Sequence, residues 1–217
     1  MTEFLTYQLF DLLNRPGPLW LVDANLSGLN LTGVYLENAN LTDARVSGSN
    51  LEGGHLKGAN LTRAILREAN MTNADLEETN FNWAKLNRSN CHQANLKNAI
   101  LTNSRLKDVI FSKANLSGAN LEKANCRKTI FEDANLAGAN LSSVELDTTN
   151  MKNANLDKAN LSNAQLISVD LKNANLHEAN LENATLQDTD LRDADLRGAN
   201  LKGANLQGSV LQNANLE

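Results

Sequence analysis

The chain has 217 residues, a net charge of −5 and only 4% aromatic residues. So few aromatic side chains argue against a conventional globular core, which uses them for packing, and the mild acidity argues against a nucleic-acid-binding surface. No apolar run of about 18 residues occurs, so no membrane span is predicted. The start of the chain has no basic region typical of a signal peptide, and a cytoplasmic location is expected.

Residues 1–23 are predicted to form a short α-helical cap followed by a lead-in to the rest of the chain. Apolar residues recur there at helical spacing, at Phe4, Leu5, Leu9, Leu12 and Leu13. The Pro-Gly-Pro sequence at residues 16–18 ends this helix. A cap is expected because the open end of a repeat array exposes apolar side chains and unpaired backbone groups.

Residues 24–217 repeat a five-residue unit without interruption. Each unit has an apolar central residue, from Leu26 to Leu216, and a small inner residue two places before it. The intervening residue between them is usually Asn, and two polar or Gly turn residues follow. Residues two apart in an extended chain point the same way, so the inner and central residues are predicted to face inward. Two consecutive outward residues require a turn in every unit.

The exceptions to the repeat predict four units in each coil. Leu fills 31 of the 39 central positions, and five of the exceptions lie twenty residues apart, at Met71, Cys91, Phe111, Phe131 and Met151. Charged pairs at that spacing are opposite in sign 13 times and alike 5 times. The prediction is therefore a four-sided β-helix of just under ten coils, roughly 45 Å long. Leu and Ala fill its interior, leaving no ligand pocket.

Several units resemble the pentapeptide repeat family, whose consensus is Ala-(Asp/Asn)-Leu-x-x. The matching units include residues 24–28 (Ala-Asn-Leu-Ser-Gly), 39–43 (Ala-Asn-Leu-Thr-Asp), 194–198 (Ala-Asp-Leu-Arg-Gly) and 199–203 (Ala-Asn-Leu-Lys-Gly). The resemblance extends over residues 24–217 and implies an all-β fold, a right-handed quadrilateral β-helix. It also points to a cyanobacterial type of protein, because the family is abundant in cyanobacteria. For most members no biochemical role is established.

No catalytic, cofactor-binding or metal-binding residue is predicted, and the protein is not expected to be an enzyme. The three histidines, His55, His92 and His177, fall in different columns of the twenty-residue grid and cannot share a metal ion. Cys91 and Cys126 occupy central positions and are interpreted as packing residues. No nucleophile–base pair forms on the grid, and no cofactor or small-molecule substrate is expected.

One surface patch is the candidate interaction site. Arg63 and Trp83 share one column, and the neighbouring column holds Arg45, Ile65, Lys85 and Arg105. Trp and Arg dominate the energetics of many protein interfaces, which favours a contact site for an unidentified protein partner. The alternative is that Trp83 lies flat over a corner, surrounded by Lys and Arg stems.

The last unit, Asn215-Leu216-Glu217, stays within the repeat pattern and has no sequence signal of a cap. Two interpretations stay open. Either the final coil frays, or its uncovered edge pairs with a second copy of the chain, since an uncapped rung can form further hydrogen bonds.

Two functions are compatible with this sequence. The first is a structural scaffold for protein interactions, because a rigid rod presents stacked columns of side chains. The second is inhibition of a type II topoisomerase by mimicry of DNA, which some pentapeptide repeat proteins perform. Mimicry requires continuous negative potential, whereas residues 24–120 contain 10 basic and 8 acidic residues. Nucleic acid is not expected as a partner.

Overall fold

A computed structural model describes residues 17–217 of the protein. The capping helix predicted before Pro16 therefore lies outside the described residues. Residues 17–217 contain no helix. Residues 19–23, predicted as a lead-in, already form a side of the first coil: Trp20 bridges to Asn40, and Leu19 and Leu21 are buried. The regular coil thus begins one unit earlier than the sequence pattern indicated.

The described chain forms a β-helix in which residues twenty apart are neighbours. It contains no strand longer than one residue. Instead, parallel bridges join intervening residues, from Trp20 and Asn40 to Asp195 and Asn215. In each bridge the backbone bonds run both ways: the Arg45 N–H donates to the Ala24 carbonyl at 2.9 Å, and the Leu26 N–H donates to the Arg45 carbonyl at 2.7 Å. The predicted coil of four units and twenty residues is confirmed.

We number the four sides in chain order, by the intervening residue of the first coil. The first side stacks on Trp20, the second on Asn25, the third on Asn30 and the fourth on Tyr35. In a coil of four units, the second and fourth sides lie opposite each other. These positions determine which surface residues meet.

Every unit ends in a tight turn that needs an unusual backbone conformation. The N–H of nearly every inner residue donates to the carbonyl of the preceding central residue, as from Ala24 to Leu21 at 3.1 Å. The second turn residue has a positive φ in every turn from Asp23 to Asn213. A type II turn requires this conformation, which explains why Gly and Asn recur at this position.

Thr148 occupies this strained position with a φ of 57°, although β-branched residues tolerate positive φ poorly. We expect Thr148→Gly to raise the free energy of unfolding by about 0.5–1 kcal/mol, since the relief of steric strain exceeds the entropy that Gly loses on folding. Urea denaturation followed by circular dichroism measures the change. Ser112→Gly is the matched control, because Ser112 is a first turn residue without positive φ, and a loss of stability is expected there. A loss at Thr148 as well would contradict the turn assignment.

The interior is a continuous stack of central and inner side chains. Nearly all central residues between Leu26 and Leu191 are fully buried, with Ala beside them in most units. The larger central residues of the third side form one column, in which the Phe111 and Phe131 rings stack with centroids 5.2 Å apart. The predicted core of Leu and Ala is confirmed, and five of the eight central residues that are not Leu lie on the third side.

Hydroxyl groups in the core bond to the main chain. On the third side, several inner residues are Ser or Thr, and all of them except Ser89 donate to the carbonyl of the residue 23 positions earlier. The distances are 2.6 Å for Ser49, 2.8 Å for Thr129 and 3.0 Å for Thr149. The hydroxyls of these three residues are satisfied without an internal water, whereas the buried Ser89 Oγ has no hydrogen-bond partner. These residues are therefore compatible with a dry interior and do not line a binding site.

Candidate interaction surface

Asparagine at the intervening position stabilises both its own turn and the stack of coils. The side-chain oxygen of Asn140 accepts the backbone N–H of Ser142 at 3.1 Å. The side-chain amide of Asn160 donates to that same oxygen at 3.2 Å, from the next coil. The first of these contacts satisfies an N–H that the β-bridges leave unpaired. We call a column of such contacts an asparagine ladder.

One of the four sides largely lacks this ladder. Intervening positions of the first, third and fourth sides are mostly Asn or Asp. On the second side, the intervening residues from the second to the ninth coil are Arg45, Ile65, Lys85, Arg105, Asn125, Glu145, Gln165 and Thr185. We call this second side, with its turn residues, the mixed side. Ser47, Arg67, Asn87 and Lys107 follow the first four of these residues and have no asparagine oxygen to cap their N–H groups.

Charge is also concentrated on the mixed side. Its five units between residues 44 and 128 contain two acidic residues, Glu68 and Asp108. The same units contain eight basic residues, which are Arg45, Arg67, Lys85, Arg88, Arg105, Lys107, Arg127 and Lys128. The opposite, fourth side has four basic and eight acidic residues over its whole length. A positive region of the mixed side therefore lies opposite a net negative fourth side, which counts along the chain do not reveal.

A surface depression lies in the middle of this positive region. It has a volume of about 360 Å³ and is lined by Arg67, Glu68, Asn87, Arg88, Arg105, Lys107 and Asp108. The short side chain of Asn87 stands between Arg67 and Lys107 in one turn column, and this difference in length makes the hollow. A second hollow shares Asn87, Arg105 and Lys107 and extends to Lys123 at the corner with the first side.

Some cations of the mixed side are paired and others are available for a ligand. Arg88 contacts Glu68 at 3.0 Å, and Arg127 contacts Asp147 at 3.0 Å. Within residues 17–217, no carboxylate lies within ion-pair distance of four others, namely Arg67, Lys85, Arg105 and Lys107. Three of these four line the depression. Because exposed charges gain little from distant partners in water, these cations keep their full capacity for an incoming anion.

The structure places the predicted patch on the mixed side and its corner. Arg45, Ile65, Lys85 and Arg105 are bridged one to the next in a single column. Trp83 stands at the corner with a φ of 62° and is 58% exposed. Arg63, in the same corner column, is engaged by Asp43 at 2.8 Å through its Nε, and this carboxylate raises the pKa of Arg63.

The prediction missed three cations of the depression: Arg67, Arg88 and Lys107. All three are turn residues of the mixed side. The signal was present in the sequence, because Arg67 and Lys107 lie forty residues apart and Arg88 lies one coil from both. Charge counted along the chain, as over residues 24–120, does not show this cluster, because the three residues are brought together only when charge is counted on each side of the rod.

The thiol, imidazole and carboxylate groups show no catalytic arrangement in the described part of the chain. Burial raises the pKa of the Cys91 thiol to about 12, which leaves it protonated and unreactive at neutral pH. His177 bonds to Asp157 on the exposed surface at 2.7 Å. No group of three His, Cys, Asp or Glu side chains among residues 17–217 could hold a metal ion.

The last coil exposes more of its interior than the others. Leu201, Leu206 and Leu211 are only partly buried, and Leu216 is 55% exposed. Self-association through this coil stays a prediction, with a second copy as the partner. Light scattering that gives the monomer mass at every concentration would contradict it.

In residues 17–217 no helix is long and apolar enough to cross a bilayer.

Comparison with protein families identifies the repeat over the described length. The model for pentapeptide repeats (8 copies) matches residues 21–58, 47–82, 55–90, 74–112, 89–125 and 114–156. The model for a pentapeptide repeat region matches residues 139–216. The protein therefore belongs to the pentapeptide repeat family. None of the curated proteins matches the chain.

Solved structures include similar proteins from cyanobacteria. HetL of Nostoc, a pentapeptide repeat protein involved in heterocyst differentiation regulation, is 32% identical, with 87% of each chain covered and a TM-score of 0.50. Rfr23 of Cyanothece is 38% identical over 51% of this chain and 66% of its own, with a TM-score of 0.26. QnrB1, a plasmid-mediated fluoroquinolone resistance protein, is 20% identical over 87% of this chain and 89% of its own, with a TM-score of 0.50. At this low identity, the similarity between QnrB1 and this protein concerns the fold alone.

Proposed function

We propose that the protein is a non-enzymatic scaffold that binds a protein partner through the mixed side. One observation carries the proposal: four successive coils replace the stabilising asparagine by Arg45, Ile65, Lys85 and Arg105. The repeat accommodates Asn at this position on every side, so the turn N–H groups two places after these four residues lack an asparagine cap that the fold could supply. Departures from local stability rules are typical of functional sites.

The composition of the mixed side suits recognition of a macromolecule. Arg and exposed Trp are enriched at binding hot spots, and here Arg105 lies in the column beside the corner that carries Trp83. A shallow depression with charged walls differs from the enclosed, mostly apolar cavities that bind small substrates. The arrangement therefore favours a protein partner over a small molecule.

Charge reversal on the mixed side tests this proposal. We expect Arg105→Glu with Lys107→Glu to abolish capture of partner proteins from an extract of the source organism, because the new carboxylates repel a ligand that the cations attract. The matched control is Lys57→Glu with Lys97→Glu on the fourth side, which should retain every partner. Circular dichroism verifies that both variants fold. Equal capture by both variants would refute the mixed side as the binding surface.

DNA mimicry remains the alternative hypothesis, and the charge of the mixed side disfavours it. A DNA mimic presents negative potential, whereas eight basic residues lie between residues 44 and 128 of this side. We expect the protein to leave supercoiling by gyrase unchanged at every protein concentration tested. Inhibition that depends on the acidic residues of the fourth side would overturn this expectation.

A further inference from the structure

From the depression on the mixed side, we infer that the partner presents an extended acidic peptide segment to the protein. This inference rests on the proposed function and adds the chemistry of the ligand. Arg67, Arg105 and Lys107 converge on one hollow. Its two carboxylates, Glu68 and Asp108, lie outside ion-pair distance of these three cations. Asn87 adds an amide that can donate to an oxygen atom. Guanidinium groups bind carboxylates in a bidentate manner.

The dimensions of the mixed side favour a single extended chain. Stacked coils are about 4.8 Å apart, so the five basic units extend over about 20 Å, a length that an extended peptide of six to eight residues covers. The mixed side is about 10 Å wide, measured from one turn to the next along the chain. A DNA duplex, whose major groove alone is about 12 Å wide, is wider than this side.

The overall charge also favours a short acidic segment over a long polyanion. The protein has a net charge of −5, and the positive region is confined to one side of the rod. Screening limits its attraction to about 8–10 Å at physiological salt. A peptide with a few carboxylates stays within this distance of the cations, whereas a long nucleic acid extends beyond them along a net negative rod. The half-buried Ile65 and the exposed Trp83 offer apolar contacts at the margin of the same surface.

The inference is tested by fluorescence anisotropy with a labelled peptide of about eight residues, rich in Glu, whose length matches the basic region. We expect saturable binding to the wild-type protein, lost at about 1 M salt, where the screening length falls to about 3 Å. The triple variant Arg67→Gln, Arg105→Gln and Lys107→Gln should bind at least about tenfold more weakly. The control Lys57→Gln, Lys97→Gln and Lys158→Gln on the fourth side should bind the peptide as the wild type does.

Other outcomes would overturn the inference. Binding of a thymidine oligonucleotide of equal charge, without binding of the peptide, would assign the surface to single-stranded nucleic acid. A concentration-dependent dimer mass that only the mixed-side variant loses would assign it to a second copy. If charge reversal abolishes partner capture but the peptide does not bind, only the acidic chemistry is wrong. If partner capture survives charge reversal, the proposed function itself is wrong.

Discussion

Phe111→Ala is expected to lower the free energy of unfolding by about 3–5 kcal/mol. Phe111 is fully buried and stacks on Phe131, so its removal leaves a cavity and also ends an aromatic contact worth about 0.5–1.5 kcal/mol. The coils above and below are held in place by backbone hydrogen bonds. They cannot collapse into the cavity, which places the loss toward the upper end of this range.

Phe111→Leu provides the control, since Leu occupies the same column at Leu31, Leu51 and Leu171. The backbone therefore accommodates it, and a loss of less than about 1.5 kcal/mol is expected. Urea denaturation followed by circular dichroism measures both variants. A repeat array unfolds in segments when one unit is weakened, so the Ala variant should also show a broader transition. Equal stability of the Ala and Leu variants would contradict the packing described for this column.

Restoring the asparagine ladder on the mixed side is expected to stabilise the protein. In a variant with Asn at positions 45, 65, 85 and 105, each new side-chain oxygen can accept the N–H of the turn residue two places on, as Asn140 does for Ser142. Such a hydrogen bond contributes about 0.5–1.5 kcal/mol. After the lost packing of the original stems is subtracted, we expect the free energy of unfolding to rise by about 2–4 kcal/mol.

The matched control extends the ladder on the third side, where Ile110 and Ile130 replace Asn. The double change of these residues to Asn should also raise the melting temperature, because Ile110 is 37% exposed and gives little packing energy. Differential scanning calorimetry compares the two variants with the wild type. A lower melting temperature for both would show that the ladder contributes nothing to stability.

The sequence alone was sufficient to predict the architecture, because large side chains and opposite charges both recur at a spacing of twenty residues, which is one coil. A large residue such as Phe111 needs space that its neighbour twenty residues away must share, and oppositely charged residues such as Lys57 and Glu77, 3.3 Å apart, attract only if they are adjacent. These constraints produce the twenty-residue period that is visible in the sequence. The start of the first coil was predicted one unit too late, because residues 19–23 have Leu19 and not Ala at the inner position.

The surface was harder to predict because its meaning depends on which side each residue faces. The abundance of Asn was visible, but not its double role in capping the turn and bonding the next coil. The patch around Trp83 was predicted because its residues share columns. The hollow beside it depends on the lengths of neighbouring side chains, such as Asn87 between Arg67 and Lys107, and no periodicity in the sequence encodes such a hollow.

Partner capture by the variant with Asn at positions 45, 65, 85 and 105, measured beside its melting temperature, tests the role of the mixed side most directly. If these four positions forgo stability for recognition, the variant melts at a higher temperature than the wild type and captures none of its partners, while the control with Asn at 110 and 130 keeps them. A variant that is more stable and still captures every partner would contradict that role.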